Sequence, residues 1–145
     1  HNDQLTIELA IDGEDWIADP GSYLYCPPIT QRNAWRSVRA HAAPQWAGRE
    51  PGRLDVGPFR MIDQAHAACL HFTEEGFAGT HIGFGEPVRR DVILSDDILT
   101  LRDTGLPPDP ARRLVRCTGR DEARLHFRRD APFSPGYGQL AGGET

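Results

Sequence analysis

The chain has 145 residues, 39% hydrophobic and 26% charged, which makes one ordinary globular domain able to bury roughly two-thirds of its unfolded surface without staples. Sixteen basic residues, all of them arginine, stand against 21 acidic ones for a formal net charge of −5. That balance lacks the positive excess that nucleic-acid binding needs, and no apolar run approaches the ~20 residues of a membrane-spanning helix.

Leu5, Ile7, Leu9 and Ile11 alternate with Thr6, Glu8, Ala10 and Asp12, the period of two of a strand with one buried face. Asp12-Gly13 is a hairpin signal, since Gly13 can take positive φ, and Trp16 to Ala18 is the expected return strand. Asp19-Pro20-Gly21 then breaks the ladder, because proline cannot donate to it and glycine admits a tight turn. Tyr23 to Cys26 reads as a short extended piece halted by Pro27-Pro28. From Arg32 to Ala40 small and apolar residues mix with Arg32, Arg36 and Arg39, without a convincing amphipathic pattern, and Pro44 closes the segment.

Leu54 to Asp63 and Ala65 to Thr73 read as strands, with Ala68, Leu70 and Phe72 pointing one way in the second. Glu74-Glu75-Gly76 makes a turn and Phe77 to Phe84 comes back. The best-defined local structure follows. Val92 and Leu94 pair across an Asp96-Asp97 turn with Leu99 and Leu101, all four on one face, which sets Asp91 opposite Arg102. Pro107, Pro108 and Pro110 form a loop, while Leu114 to Cys117 and Leu125 to Phe127 are weaker strands. Short strands with turn signals every ~8 to 12 residues indicate an all-β fold, an antiparallel two-layer β-sandwich over residues 1–131, and residues 132–145 read as a flexible tail or linker.

Cys26, Cys69 and Cys117 form no C-x-x-C pair, so neither a disulfide framework nor a thiolate zinc site is indicated. His1, Asp19 and His41 are candidate metal ligands, two imidazoles and a carboxylate suiting zinc; a turn role for Asp19 is the plain alternative. Cys69, His71 and His81 form a second candidate cluster if the Glu74–Gly76 turn brings them to one sheet face, which a solvated face explains equally well. Arg32, Arg36 and Arg39 with Tyr23 and Tyr25 are candidates for an anion- and sugar-binding surface, the alternative being local pairing of Arg36 and Arg39 with Asp19 and Glu50. A carbohydrate-binding sandwich would instead expose Trp16, Trp35 or Trp46 on one face, and a purely structural sandwich would bind nothing.

The opening HNDQLTIELAIDGEDWIADPGSYLY and the later RNAWRSVRAH resemble the heparinase II/III-like family of polysaccharide lyases at the start of its C-terminal β-sheet domain. The residues that carry the resemblance are His1, Asp3, Asp19, Pro20, Gly21, Tyr23, Tyr25, Arg32, Arg36, Ser37, Ala40 and His41. The resemblance implies an N-terminal α/α toroid packed on this β domain, and cleavage of an acidic, uronate-containing polysaccharide by β-elimination. It also implies a structural zinc on His1, Asp19 and His41, substrate contacts from Tyr25, Arg32 and Arg36, and a periplasmic or secreted compartment. Two departures stand out: the family's catalytic histidine would lie two residues before His1, and Ala42 stands where the family has asparagine. The chain is therefore expected to be a piece of a longer lyase, inactive by itself, its catalytic residues lying elsewhere.

Overall fold

The computed structural model describes residues 1–95, 98–107 and, for the backbone alone, 116–118. Near the start of the chain Asp12 and Gly13 take φ of 53° and 81°, the left-handed pair that a two-residue hairpin loop requires. They join β1 (Leu9–Ile11) to β2 (Glu14–Ile17), with Ile11 paired to Glu14 across the loop. β1 is shorter than the alternation from Leu5 predicts because Leu5 itself sits at φ 60°, outside the extended region.

The main sheet is a meander. Ala68–Thr73 (β3), Gly76–His81 (β4), Val88–Ser95 (β5), Ile98–Thr104 (β6) and Arg116–Thr118 (β7) lie side by side in chain order, each pair antiparallel. β5 and β6 have the predicted register: Val92 faces Leu101, Leu94 faces Leu99 and Asp91 faces Arg102. The strand expected over Leu114–Cys117 is met in part by β7. The Asp96-Asp97 turn, the loop residues Pro108 and Pro110, the strand at Leu125–Phe127 and the tail over 132–145 lie outside the described residues.

Register decides what the sheet covers. Gly79 and His81 of β4, Val88, Arg90 and Val92 of β5, and Leu101 and Asp103 of β6 share one face. The β1–β2 hairpin lies over that face: Ile17 and Ala42 are buried together, with Ile7, Leu9 and Leu99 packed against them. The approach is close enough that a Cβ at Gly79 would run into the Leu5 side chain and stand 2.6 Å from the Phe77 ring. Val88 and Val38 are 0% and 1% exposed, and such burial stabilises by roughly 1.5–3 kcal/mol per side chain. The fold is all-β, antiparallel and sandwich-like, with one short α-helix among the described residues.

That helix, α1 (Ile29–Arg36), corrects the reading of the Arg32 region as non-helical. It starts directly after Pro28, where proline's missing N–H costs nothing, and buries only Trp35 and Arg36. Two turns are marginal alone, so tertiary contacts hold it. Ser37 ends α1 in extended backbone, and its hydroxyl accepts the Arg39 N–H to start a 3-10 turn over Val38–Ala40.

The strand expected over Leu54–Asp63 is also absent: the segment is an irregular loop with a single bridge between Arg53 and Ile62. Gly57 at φ 114° and Pro58 cannot continue a ladder, and the Arg36 guanidinium binds the carbonyls of Gly57 (2.9 Å) and Arg60 instead. The strand predicted from Ala65 starts only at Ala68, since His66 sits at φ 46°.

Candidate functional site

Asp19, in the turn after β2, receives the Gly21 N–H on Oδ1 at 2.8 Å, with Gly21 at φ 73° closing the turn. The same bond leaves Oδ2 free to reach across 22 residues to Nδ1 of His41, at 2.9 Å. His41 follows the 3-10 turn, its N–H bonded to the Val38 carbonyl, and is 3% exposed. Donation from Nδ1 to a carboxylate fixes the tautomer with its lone pair on Nε2. His41 Nε2 is buried and has no hydrogen-bond partner. An orphaned buried nitrogen of this kind costs roughly 1–3 kcal/mol, which a ligand at that atom would relieve.

The His1 ring lies 5.3 Å from the His41 ring, centroid to centroid, and its Nε2 is 3.3 Å from the Ser22 hydroxyl. Three segments far apart in sequence thus bring His1, Asp19 and His41 to one place. Among the described residues no three histidine, cysteine or carboxylate side chains stand in the spacing of a metal shell. Two imidazoles, one with a buried unpartnered ring nitrogen and a carboxylate orienting it, are residue types able to hold zinc.

The candidate substrate residues divide. Tyr25 is 64% exposed and its ring lies 4.9 Å from that of Phe59, itself 55% exposed. Arg32 extends its guanidinium 5.9 Å above the Phe59 ring, donates weakly from Nε to the Pro58 carbonyl at 3.4 Å, and keeps Nη1 buried without a partner. Arg36 goes elsewhere. It is 3% exposed and donates to Asn33 Oδ1 and the Gly57 and Arg60 carbonyls, and burial, followed by neighbouring Arg32, holds its guanidinium below the ordinary value. Asn33 in turn holds the Leu54 carbonyl at 3.2 Å, so α1 clamps the loop that presents Phe59. Neither Arg36 nor Arg39 pairs with Asp19 or Glu50 in the hydrogen bonds described for those carboxylates.

The second cluster does not form on one face. A bulge between Cys69 and His71 pairs Cys69 with Gly79 but His71 with Ala78, which turns His71 away from the face that His81 occupies. His81 is 1% exposed, its Nδ1 accepting the Gly83 N–H at 3.1 Å and its ring edge-on to Phe84 at 5.2 Å. The tryptophans do not share an exposed face either: Trp35 is buried under Tyr23, and Trp46 is half-buried between Phe84 and Arg49.

Sequence reasoning missed four contributors. Phe59 carries no motif. Asn2, 0% exposed, donates to Glu50 Oε2 at 2.7 Å and to the Gly52 carbonyl at 2.8 Å. Glu50 also receives the Ser37 hydroxyl and the Val38 N–H. Arg90, 2% exposed, binds both oxygens of Asp103 at 2.7 and 2.8 Å, and the carbonyls of Leu5 (2.8 Å) and Ala42.

A family model described as Heparinase II/III-like, C-terminal, matches residues 1–134. No curated protein and no solved structure matches the chain.

Proposed function

The chain belongs to the heparinase II/III-like family as its C-terminal domain, and on that premise we propose that it is the β domain of a polysaccharide lyase that cleaves uronate-containing chains by β-elimination. The observation that carries the reading is the meeting of His1, Asp19 and His41, with His41 Nε2 buried and unpartnered, in a chain of this family.

In such an elimination a base takes the proton α to the uronate carboxylate, positive or hydrogen-bonding groups neutralise that carboxylate, and an acid protonates the departing glycosidic oxygen. This chain supplies the second of those roles. The Tyr25 and Phe59 faces receive a sugar ring, and Arg32, whose guanidinium lies over the Phe59 ring, meets its carboxylate. Arg36 serves the same surface indirectly, by holding the 57–60 loop in place. Base and acid come from an α/α-toroid domain of the same protein and from residues preceding His1.

His1 and His41 would hold a zinc ion, with Asp19 orienting the His41 ring through Nδ1, and the ion's chemistry here is structural: it would tie the chain start to the His41 turn. A non-catalytic carbohydrate module is disfavoured because its tryptophans would have to share an exposed face, and Trp35 is buried.

The test is an assay of the natural full-length chain on a panel of polyuronates. Elimination leaves a double bond conjugated to the carboxylate, read as rising ultraviolet absorbance. Absorbance gain on at least one polymer, lost in Arg32→Ala with the fold intact, supports the reading. Cleavage without the chromophore would mean hydrolysis and would overturn it.

A further inference from the structure

We propose that Glu50 is a positioning residue that sets the separation of the two imidazoles, His1 and His41. The inference deepens the zinc reading above and rests on it.

His1 and His41 are carried by separate segments, so their separation depends on whatever joins those segments. The joint next to both is one half-buried carboxylate. On one side, Glu50 Oε2 accepts from Asn2 Nδ2 at 2.7 Å, 48 residues away in sequence. Asn2 is further fixed by its backbone N–H on the Arg36 carbonyl and by Nδ2 on the Gly52 carbonyl, both at 2.8 Å, so the residue that follows His1 has no freedom left. On the other side, Glu50 Oε1 accepts the Ser37 hydroxyl and Oε2 accepts the Val38 N–H at 2.9 Å. These are the first residues of the 3-10 turn that delivers His41, whose N–H closes onto the Val38 carbonyl at 3.2 Å.

Arg90 also bridges the two segments, but through the Leu5 and Ala42 carbonyls and as part of the sheet. Glu50 acts nearer the imidazoles and belongs to no strand or helix. Three donors converge on its two oxygens, and removing the carboxylate strands all three at once.

The test is zinc affinity of the whole chain, measured by competition with a chromophoric chelator, for the natural sequence, Glu50→Ala and Leu101→Ala. Leu101 is a core residue of β6 that makes none of the Glu50 hydrogen bonds, so its variant lowers the melting temperature without altering the joint. Loss of a partner bonded directly to a metal ligand weakens binding roughly 10- to 100-fold, and Glu50 acts one residue further out. The expected result is therefore a roughly tenfold weaker zinc affinity in Glu50→Ala, the low end of that range, with Leu101→Ala unchanged despite its lower melting temperature. If Glu50→Ala does not fold, Asn2→Ala, which leaves the Ser37 and Val38 bonds in place, is expected to weaken zinc in the same direction. A natural chain that binds zinc alongside a folded Glu50→Ala of equal affinity overturns the positioning role and spares the zinc reading. A natural chain that binds no zinc overturns both.

Discussion

Replacing Arg90 by methionine removes the side chain that joins the two layers. In the native fold its guanidinium, 3% exposed, binds Asp103 through both oxygens and also takes the carbonyls of Leu5 and Ala42. Methionine fills similar volume but donates nothing, so the Asp103 carboxylate, only 20% exposed, keeps its charge without a counterion. Removing one partner of a buried pair costs about 3–5 kcal/mol, and each carbonyl stranded from water adds to the upper end of that range. We expect a loss of about 4 kcal/mol, or roughly 10–20 °C in melting temperature for a domain of this size. The assay is urea denaturation followed by tryptophan fluorescence, since Trp35 is buried and changes environment on unfolding. Arg90→Met combined with Asp103→Leu should recover part of the loss, because the stranded charge is then gone. A single variant within ~1 kcal/mol of the natural chain would refute the reasoning, since the pair would then be no more than a surface ion pair.

Other consequences follow from the same geometry. Burial holds the His81 imidazole below its ordinary value, Asp103 opposing that shift and Arg90 adding to it, so the fold keeps His81 neutral while the unfolded chain takes up a proton. Stability present above the unfolded value near about 6.5 therefore falls as pH drops below it, by at most about 1.4 kcal/mol per pH unit, and denaturation of His81→Gln should show a shallower acid limb. Gly83 lies against Pro51, where an added Cβ would stand 2.6 Å from the carbonyl oxygen, so Gly83→Ala should cost about 1–3 kcal/mol in a thermal melt. Tyr25→Ala and Phe59→Ala, both at exposed rings, should each leave the melting temperature nearly unchanged while reducing retention on an immobilised polyuronate; equal retention would remove the aromatic pair from the substrate surface.

Local pattern carried the reading wherever neighbours in sequence are neighbours in space. The alternation of Val92, Leu94, Leu99 and Leu101 sets the β5–β6 register, and Asp12-Gly13 sets the first hairpin loop, because period and turn chemistry are properties of short stretches. That same register also places Arg90 opposite Asp103 on the covered face, an ion pair the pattern implied but hydrophobic alternation obscured. What escaped was decided over longer range. The loop at 54–63 is apolar enough for a strand, yet Arg36 takes its carbonyls from a helix about two dozen residues earlier. The bulge after Cys69 reverses the side on which His71 lies, and nothing in ACLHFT announces it. α1 shows too little apolar stripe over eight residues to be read, although Pro27-Pro28 before it was an available start signal. His1, Asp19 and His41 were candidates from their ligand chemistry, with uninformative spacing, and the family resemblance strengthened them, whereas the roles of Glu50 and Phe59 needed the fold.

The most direct measurement is elemental analysis of the protein purified without a metal-affinity tag, comparing the natural chain with Asp19→Ala. The account predicts about one zinc per natural chain and none in the variant, because Asp19 holds the His41 ring in place. Absence of zinc both from this chain and from one extended upstream of His1 would contradict it.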